Sequence, residues 1–226
     1  MATFRGMVAK SKSAPEGASQ TRQSLVLAAE RLVAQHGVRG FSTQMLHEAA
    51  GARNASALQY HFGSRAELIR AVWQYRMTTV NPQRLRLLEG VEPHDIDRLV
   101  NAIILPLAEQ LEPRPEGNFY LRFLERLERG GEYGAYGPHL EFEGLLRANA
   151  MLREALDDLA PDVVEMKLRF ATTLITSGLA GLEADIEHGS ISVASAPVMV
   201  DALRRGVVAL LLSAVPSARE PRKVRS

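Results

Sequence analysis

The 226-residue sequence contains no cysteine, which excludes disulfide bonds, thiolate zinc sites and cysteine nucleophiles. It also lacks any run of about 18 consecutive apolar residues, the length that would span a bilayer, and its start has no apolar block of signal-peptide length. Its 46% apolar content is nevertheless enough to supply a buried core. We therefore expect a folded, cytoplasmic protein.

The formal net charge of +1 hides an uneven distribution of charge along the chain. Residues 1–80 carry ten basic and four acidic side chains, a net charge of +6, whereas residues 81–226 carry 17 basic and 22 acidic ones, a net charge of −5. A basic region attached to an acidic body is typical of a protein whose one end meets a polyanion, because phosphate attraction supplies most sequence-independent affinity for DNA. Chance asymmetry on a solvated surface is the alternative.

Helical periodicity dominates the sequence, since apolar residues recur at spacings of three and four and no segment alternates as a strand would. Glycine, proline and N-capping residues separate the segments. We predict an all-α protein with helices over 21–36, 43–50, 54–61, 65–80, 83–90, 95–112, 118–129, 140–157, 161–188 and 196–214. Asn81-Pro82 is expected to end the fourth of these, because proline cannot donate a backbone hydrogen bond.

This pattern predicts four regions along the chain. A flexible basic arm and a basic disordered tail flank an amino-terminal helix-turn-helix domain and a larger helical domain. The predicted bounds are 1–18 for the arm, 19–80 for the helix-turn-helix domain, 81–216 for the larger domain and 217–226 for the tail.

Two short helices after the first long one have the features of a helix-turn-helix, in which one helix enters the major groove and the preceding one braces it. Gly51 permits the tight turn between them. The residues expected to pack this unit are Leu46, Ala49, Ala50, Leu58 and Phe62. Those expected to face outward are Arg53, Ala55, Ser56, Gln59 and Tyr60. Glutamine can pair with adenine, and tyrosine can meet a thymine methyl group or a phosphate.

Residues 21–76 resemble the amino-terminal domain of the TetR family of bacterial regulators. The resemblance is carried by Ala28-Ala29, Gly37, Ser42, Ala49-Ala50-Gly51 and the run Leu58-Gln-Tyr-His-Phe62-Gly-Ser-Arg65. Three departures accompany it. One additional residue lies between Gly51 and Phe62, Met45 and His47 stand in the bracing helix, and Arg65 replaces the usual lysine.

The resemblance implies a transcriptional regulator, by family default a repressor, that binds a palindromic operator as a homodimer and is released by a small molecule. It implies DNA contacts by Ser42, Thr43, Gln44, Arg53, Asn54, Ala55, Ser56, Gln59, Tyr60, His61 and Arg65. His61 as a packed histidine and Tyr60 as a core aromatic are the alternatives. It also implies an effector cavity, for which the aromatic and polar candidates are Phe119, Tyr120, Phe123, Tyr133, His139, Phe142, Met166, Phe170 and Thr173. Their apolar bias favours a hydrophobic or aromatic effector.

Apolar stripes on the last two predicted helices, 161–188 and 196–214, favour a four-helix dimer interface. The stripes comprise Leu168, Ala171, Ile175, Gly178, Leu179, Leu182 and Ile186 on the first, and Val200, Leu203, Val207, Leu210, Leu211 and Ala214 on the second. Packing of the same stripes within one subunit is the alternative.

Two other classes of protein compete with a regulator. An enzyme is disfavoured because the sequence has no phosphate-cradling glycine motif, no nucleophile elbow and no metal histidines at helical spacing, and we expect neither a cofactor nor a metal. The second class is a helical interaction protein that retains the predicted helix-turn-helix domain, here called the head, but has lost DNA binding. Such a protein would bind all DNA equally weakly.

Overall fold

The computed structural model describes residues 16–52, 56–130 and 143–214, and within these residues it is entirely helical. The helices are α1 (Glu16–His36), α2 (Thr43–Ala49), α3 (Ala57–Phe62), α4 (Arg65–Leu87), α5 (Ile96–Ala108), α6 (Tyr120–Arg129), α7 (Glu143–Ala155), α8 (Pro161–Glu187) and α9 (Ala196–Leu212). Short 3₁₀ turns at Glu109–Leu111 and Val193–Ser195 follow α5 and precede α9. The predicted all-α class is confirmed, and none of the described helices is both long and apolar enough to cross a membrane.

Helices α1 to α3 and the first part of α4 enclose the core of the amino-terminal region. Leu25, Ala29 and Val33 on α1 are buried together with Leu46 of α2 and Leu68 of α4. Their spacing of four on α1 places them on one face, which is the pattern from which the helix was predicted. Helix α1 begins five residues before the predicted Thr21. The sequence did not predict this first part of the helix because residues 16–20 are mostly polar and carry no apolar periodicity.

Helix α4 continues through Pro82 to Leu87, so the prediction that Asn81-Pro82 ends it is wrong. A proline inside a helix costs roughly 3 kcal/mol, mainly through a lost hydrogen bond and a steric clash. Val80, Arg84 and Leu88 are buried at successive intervals of four residues on both sides of this proline. Burial of this continuous face offsets the cost, and α4 links the amino-terminal region to the helices that follow without a break.

The remaining helices form a second packed group. Helix α5 lies against α4, α7 and α9, and α6 lies between α1 and α8. Helix α7 approaches α4 closely at Gly144, whose backbone N–H donates to the Asn81 side chain at 2.9 Å. A Cβ atom at Gly144 would lie 2.8 Å from Asn81 Oδ1, so only glycine fits here without a shift.

Much of the predicted dimer stripe packs within the chain, in agreement with the alternative reading of the pattern. Leu168, Ala171, Ile175 and Leu179 of α8 are buried in the single chain, as are Val207 and Leu211 of α9. Gly178 of α8 also allows the close approach of α9 within the chain, since a Cβ at this position would lie 3.0 Å from the Leu203 side chain.

Candidate functional site

Helix α2 is set in place by one cap and one buried side chain. Ser42 is its N-cap, and its hydroxyl accepts a hydrogen bond from the Met45 backbone N–H at 3.1 Å. Leu46 is fully buried and holds the helix against α1 and α3. Thr43 and Gln44 are exposed, and the Gln44 amide donates to Glu48 at 2.9 Å. The first turn of α2 therefore presents polar side chains to solvent, as a phosphate-facing turn requires.

The packing predicted for Ala49 is wrong, because this residue is exposed while Ala50 is half-buried against the core. The two residues are adjacent, and adjacent helical side chains point about 100° apart. Leu46 lies four residues before Ala50 and thus selects Ala50 for the buried face. Gly51 then adopts a φ of +62°, a left-handed conformation that glycine accepts without strain.

Helix α3 begins at Ala57 with Ser56 in the N-cap position, two residues after Asn54, the N-cap expected from the sequence. Three of the predicted DNA contacts, Arg53, Asn54 and Ala55, lie outside the described residues, as does the place where the additional residue was expected. Ser56 itself is exposed. The short helix is anchored by Ala57 and Phe62, which are buried, and by Leu58, which packs partly against the core.

The outer face of α3 carries Gln59 and Tyr60. Both side chains are exposed, and Tyr60 is 79% exposed, which rules out the alternative of a core aromatic. His61 is half-buried, and its ring stands edge-on to Tyr60 with the centroids 4.9 Å apart. An exposed amide beside an exposed phenol forms a surface that can contact both base edges and phosphates.

Arg65 has internal partners, which gives it a positioning role. Its guanidinium donates to the Phe41 carbonyl oxygen at 2.6 Å and to the Val38 carbonyl oxygen at 3.3 Å. It also lies over the Phe41 ring, 4.3 Å from the centroid. These contacts fasten the segment between α1 and α2 to the start of α4. A direct phosphate contact, as expected from the sequence, would compete with them.

Arg22 is a basic residue near α3 that sequence reasoning missed. It lies on the exposed side of α1, and its guanidinium stands 5.0 Å from the centroid of the Phe62 ring. The only sequence signal for Arg22 is that it lies three residues before Leu25, the first buried leucine of α1. This spacing places Arg22 at the edge of the buried face of the helix. It adds a cation to the surface around α3.

A cavity of about 110 Å³ lies inside the second group of helices. Helices α4 to α9 all contribute to it. The described residues that line it are Trp73, Met77, Arg84, Val100, Ile103, Leu107, Tyr120, Leu124, Leu145, Asn149, Leu152, Leu168, Ala171, Thr172, Ile175, Thr176, Val207 and Leu211. Most of this wall is aliphatic or aromatic, with a few polar groups, which is the composition typical of small-molecule sites.

Among the predicted ligand residues, Tyr120 is the described one that lines this cavity. Phe123 lies behind it, with the two rings stacked at a centroid separation of 6.2 Å. Phe119 lies elsewhere, with the guanidinium groups of Arg31 and Arg122 at 5.6 and 4.9 Å from its ring centroid. Tyr133, His139 and Phe142 lie outside the described residues.

The predicted α8 residues do not line the cavity, and the reason is helical phase. Phe170 and Thr173 are exposed and Met166 is half-buried, whereas the cavity-facing residues of α8 include Leu168 and Ile175. The prediction chose residues by chemical type, but only the packing of neighbouring helices decides which face of α8 points inward.

A buried ion pair connects this cavity region to the amino-terminal region. Arg76 of α4 donates to both carboxylate oxygens of Glu30 on α1, at 2.7 and 2.6 Å. The Arg76 guanidinium also lies near the rings of Tyr75 and Tyr120, 5.4 and 5.8 Å from their centroids. Burial alone would lower the pKa of Arg76, but hydrogen bonding and the charge of Glu30 raise it above its ordinary value. Arg76 therefore stays protonated, and its ion pair with Glu30 joins α1 to α4, the helix that carries Trp73 and Met77 of the cavity wall.

A second buried carboxylate fixes the start of α6. Glu183 of α8 accepts hydrogen bonds from the backbone N–H groups of Leu121 and Arg122, at 3.0 and 3.1 Å, and from the Arg122 side chain at 3.0 Å. A carboxylate at a helix N-terminus is favourably placed against the helix dipole. Burial nevertheless raises the pKa of Glu183 above its ordinary value, with these donors opposing the shift.

Comparison with known proteins finds a family match in the amino-terminal region and a similar fold among solved structures. Residues 25–72 match the family described as bacterial regulatory proteins, tetR family. A search of curated proteins finds no match to the chain. A TetR-family transcription regulator from Marinobacter aquaeolei VT8 aligns at 17% identity and a TM-score of 0.50, over 86% of this chain and 97% of the other.

Two further solved structures are similar in extent but more divergent in shape. A TetR-family transcriptional regulator from Rhodococcus sp. is 20% identical, with a TM-score of 0.43, over 85% of this chain and 99% of the other. A structure of RolR with the ligand resorcinol is 18% identical, with a TM-score of 0.39, over 89% of this chain and 98% of the other. At these identities the likeness concerns the fold alone.

Proposed function

We propose that the protein is a transcriptional repressor that binds a palindromic operator as a homodimer and is released by a small-molecule effector, on the basis that residues 25–72 match the family described as bacterial regulatory proteins, tetR family. The single observation that carries the DNA-binding part is the outer face of α3. Gln59 and Tyr60 are exposed there, while Ala57 and Phe62 anchor the helix from behind. A short helix held in this way can enter the major groove without losing its packing.

A homodimer is part of the proposal because one head reads only half of a palindromic site. Two heads must stand about one helical turn of DNA, ~34 Å, apart to engage successive major grooves. Support comes from apolar side chains that remain exposed on the last two helices. Phe170 and Leu174 are 48% and 40% exposed on α8, and Val198 and Leu212 are 73% and 63% exposed on α9. These residues replace the predicted stripe as the candidates for the interface.

The interface can be tested with one variant and a matched control. The double substitution Phe170→Glu with Leu174→Glu is expected to convert the dimer to a monomer in analytical ultracentrifugation, because it buries charge without a partner. Leu146→Glu alters an equally apolar side chain that is 64% exposed on α7, and it should leave the dimer intact. Dissociation by both variants, or by neither, would contradict the assignment of α8 to the interface.

Effector release follows if a ligand in the cavity favours an arrangement in which the two heads no longer fit successive grooves. Such a population shift requires the ligand to bind that arrangement more tightly than the DNA-bound one. A physical connection is available through Tyr120, which contacts the cavity and lies near Arg76, whose partner Glu30 is on α1. A displaced Tyr120 would thus act on the helix that carries the head.

The test of the whole proposal is a fluorescence anisotropy titration of the full-length protein against DNA from its own upstream intergenic region. Scrambled DNA of the same length is the control, and both are measured at two salt concentrations. We expect tighter binding to the upstream fragment, a loss of affinity with salt, and saturation at an even number of subunits per site. Equal and weak binding to both fragments would refute sequence-specific recognition and favour a helical interaction protein that has lost DNA binding.

A further inference from the structure

The size of the cavity restricts what it can hold. At about 110 Å³ it is somewhat smaller than an apolar protein cavity of ~150 Å³, which is large enough to take benzene. A single six-membered ring is therefore the ligand size that this volume matches best, after small side-chain adjustments. Trp73 and Tyr120 give the wall two aromatic surfaces, against which a ring can pack.

The polar groups of the wall favour a ligand hydroxyl. Asn149 lines the cavity on the same face of α7 as Leu145 and Leu152, and its side chain is half-buried. A ligand hydroxyl that bonds to its amide gains a hydrogen bond that an unsubstituted ring cannot make. The Thr172 hydroxyl donates its hydrogen to the Leu168 carbonyl oxygen at 2.9 Å and keeps lone pairs that can accept from a ligand hydroxyl.

The charge of the wall disfavours cations. No acidic side chain is found among the described lining residues, so a cation would be buried without a counter-charge. Arg84 is the charged residue of that set, and its guanidinium already donates to the carbonyl oxygens of Ala102 and Ile103 at 3.3 and 3.4 Å. These hydrogen bonds hold the guanidinium against α5, so a neutral ligand leaves it paired.

We propose that this cavity binds a neutral phenol, a single aromatic ring whose hydroxyl hydrogen-bonds to the Asn149 amide. That such a phenol is the effector rests on the proposed function, but its binding does not. The ring replaces water against the aliphatic wall, and the hydroxyl satisfies the amide. Asn149 is thus the residue that distinguishes a phenol from an unsubstituted ring of the same size.

The test uses the full-length protein and ligand-observed ¹⁹F NMR with 4-fluorophenol as the probe. Fluorobenzene, 4-fluorobenzylamine, 4-fluorobenzoate and 6-fluoro-2-naphthol are compared under the same conditions. We expect saturable binding of 4-fluorophenol, with fluorobenzene about tenfold weaker because it lacks one hydrogen bond. Absence of saturable 4-fluorophenol binding, or tighter binding of the amine, the benzoate or the naphthol, would overturn the proposal.

Variants locate the hydroxyl. Asn149→Leu should weaken 4-fluorophenol about tenfold and leave fluorobenzene within about twofold, and Thr172→Val should have a smaller effect in the same direction. Asn101→Leu is the matched control, since Asn101 is a half-buried asparagine of α5 outside the cavity lining. An equal loss of both ligands in Asn149→Leu, with a thermal melt like that of the wild type, would contradict the contact.

The DNA titration separates this inference from the proposed function. If the protein binds its upstream DNA specifically but not 4-fluorophenol, the ligand assignment fails alone. If it binds 4-fluorophenol with the expected dependence on Asn149 but shows no preference for upstream DNA, the regulator proposal fails while the cavity assignment is upheld.

Discussion

The carboxylate of Glu30 and the guanidinium of Arg76 form a two-point ion pair across α1 and α4, and both side chains are only 2% exposed. Such a pair adds little to the net free energy of unfolding, because burial of both charges is costly. Removal of one partner is nevertheless strongly destabilising, because it leaves the other charge buried without a partner. Glu30 lies on α1 in the amino-terminal region, and Arg76 lies on α4, the helix that also carries Trp73 and Met77 of the cavity wall. The pair therefore connects the amino-terminal region to the cavity region.

The first prediction concerns this pair. Glu30→Leu or Arg76→Met alone should lower the free energy of unfolding by about 3–5 kcal/mol, because each leaves a buried charge uncompensated. The double variant should lose clearly less than the sum of the two. Urea unfolding monitored by circular dichroism measures all three, and additive losses would show that the two charges do not depend on each other.

Arg65 provides a prediction that separates positioning from phosphate contact. Arg65→Ala should weaken binding to specific and scrambled DNA alike, because the segment between α1 and α2 loses its hydrogen bonds at Val38 and Phe41. The slope of log affinity against log salt concentration should stay within error of the wild type. A phosphate contact would instead lower the magnitude of that slope by about one when removed, and such a result would restore the role expected from the sequence.

A substitution at Gln59 tests the proposed contact of the outer face of α3 with DNA bases. Gln59→Ala should reduce affinity for the operator by about 1–3 kcal/mol with little change for scrambled DNA, since a lost base contact affects only the sequence that offers it. Gln35→Ala, at an exposed position near the end of α1, is the control and should change neither. Equal losses on operator and scrambled DNA would assign Gln59 to the phosphates.

Lys167 is a buried residue of α8 whose side chain caps the carboxyl end of α9. Its ammonium group is buried and donates to the carbonyl oxygens of Leu210, Leu211 and Ser213 at 3.0, 2.9 and 2.6 Å. Lys167→Met should lower the free energy of unfolding by about 2–3 kcal/mol, because these carbonyls lose a charged donor. Arg169→Met, an exposed cation on the same helix, should change it by less than about 0.5 kcal/mol in the same urea experiment.

Glu183 predicts a particular dependence of stability on pH. Because its pKa is raised in the folded protein, its contribution is fully present below the unfolded pKa and is lost as pH rises through the folded pKa. The stability of the wild type relative to Glu183→Gln should therefore fall as the pH rises above the ordinary pKa of a glutamate, about 4.3. The opposite slope would mean that the N–H donors of Leu121 and Arg122 outweigh the cost of burial.

Most helices were predictable because their signals are local. Ser42 and Ser64 are the N-caps of α2 and α4, and each accepts a hydrogen bond from the backbone N–H three residues later. The site was less predictable. The outward orientation of Gln59 follows from its spacing relative to Phe62, whereas the internal partners of Arg65 lie 24 and 27 residues earlier in the chain, where no local pattern could indicate them.

The sequence by itself determined the helical class, the turn at Gly51 and the outward face of α3, because spacing, caps and glycine act within a few residues. Only the tertiary structure decided that α4 continues through Pro82, that α8 turns Leu168 and not Phe170 towards the cavity, and that Asn149 lies in its wall. The physical reason is that burial is a property of the assembled helices. Which face of a helix loses contact with water depends on neighbours that are distant in sequence, and no single segment encodes it.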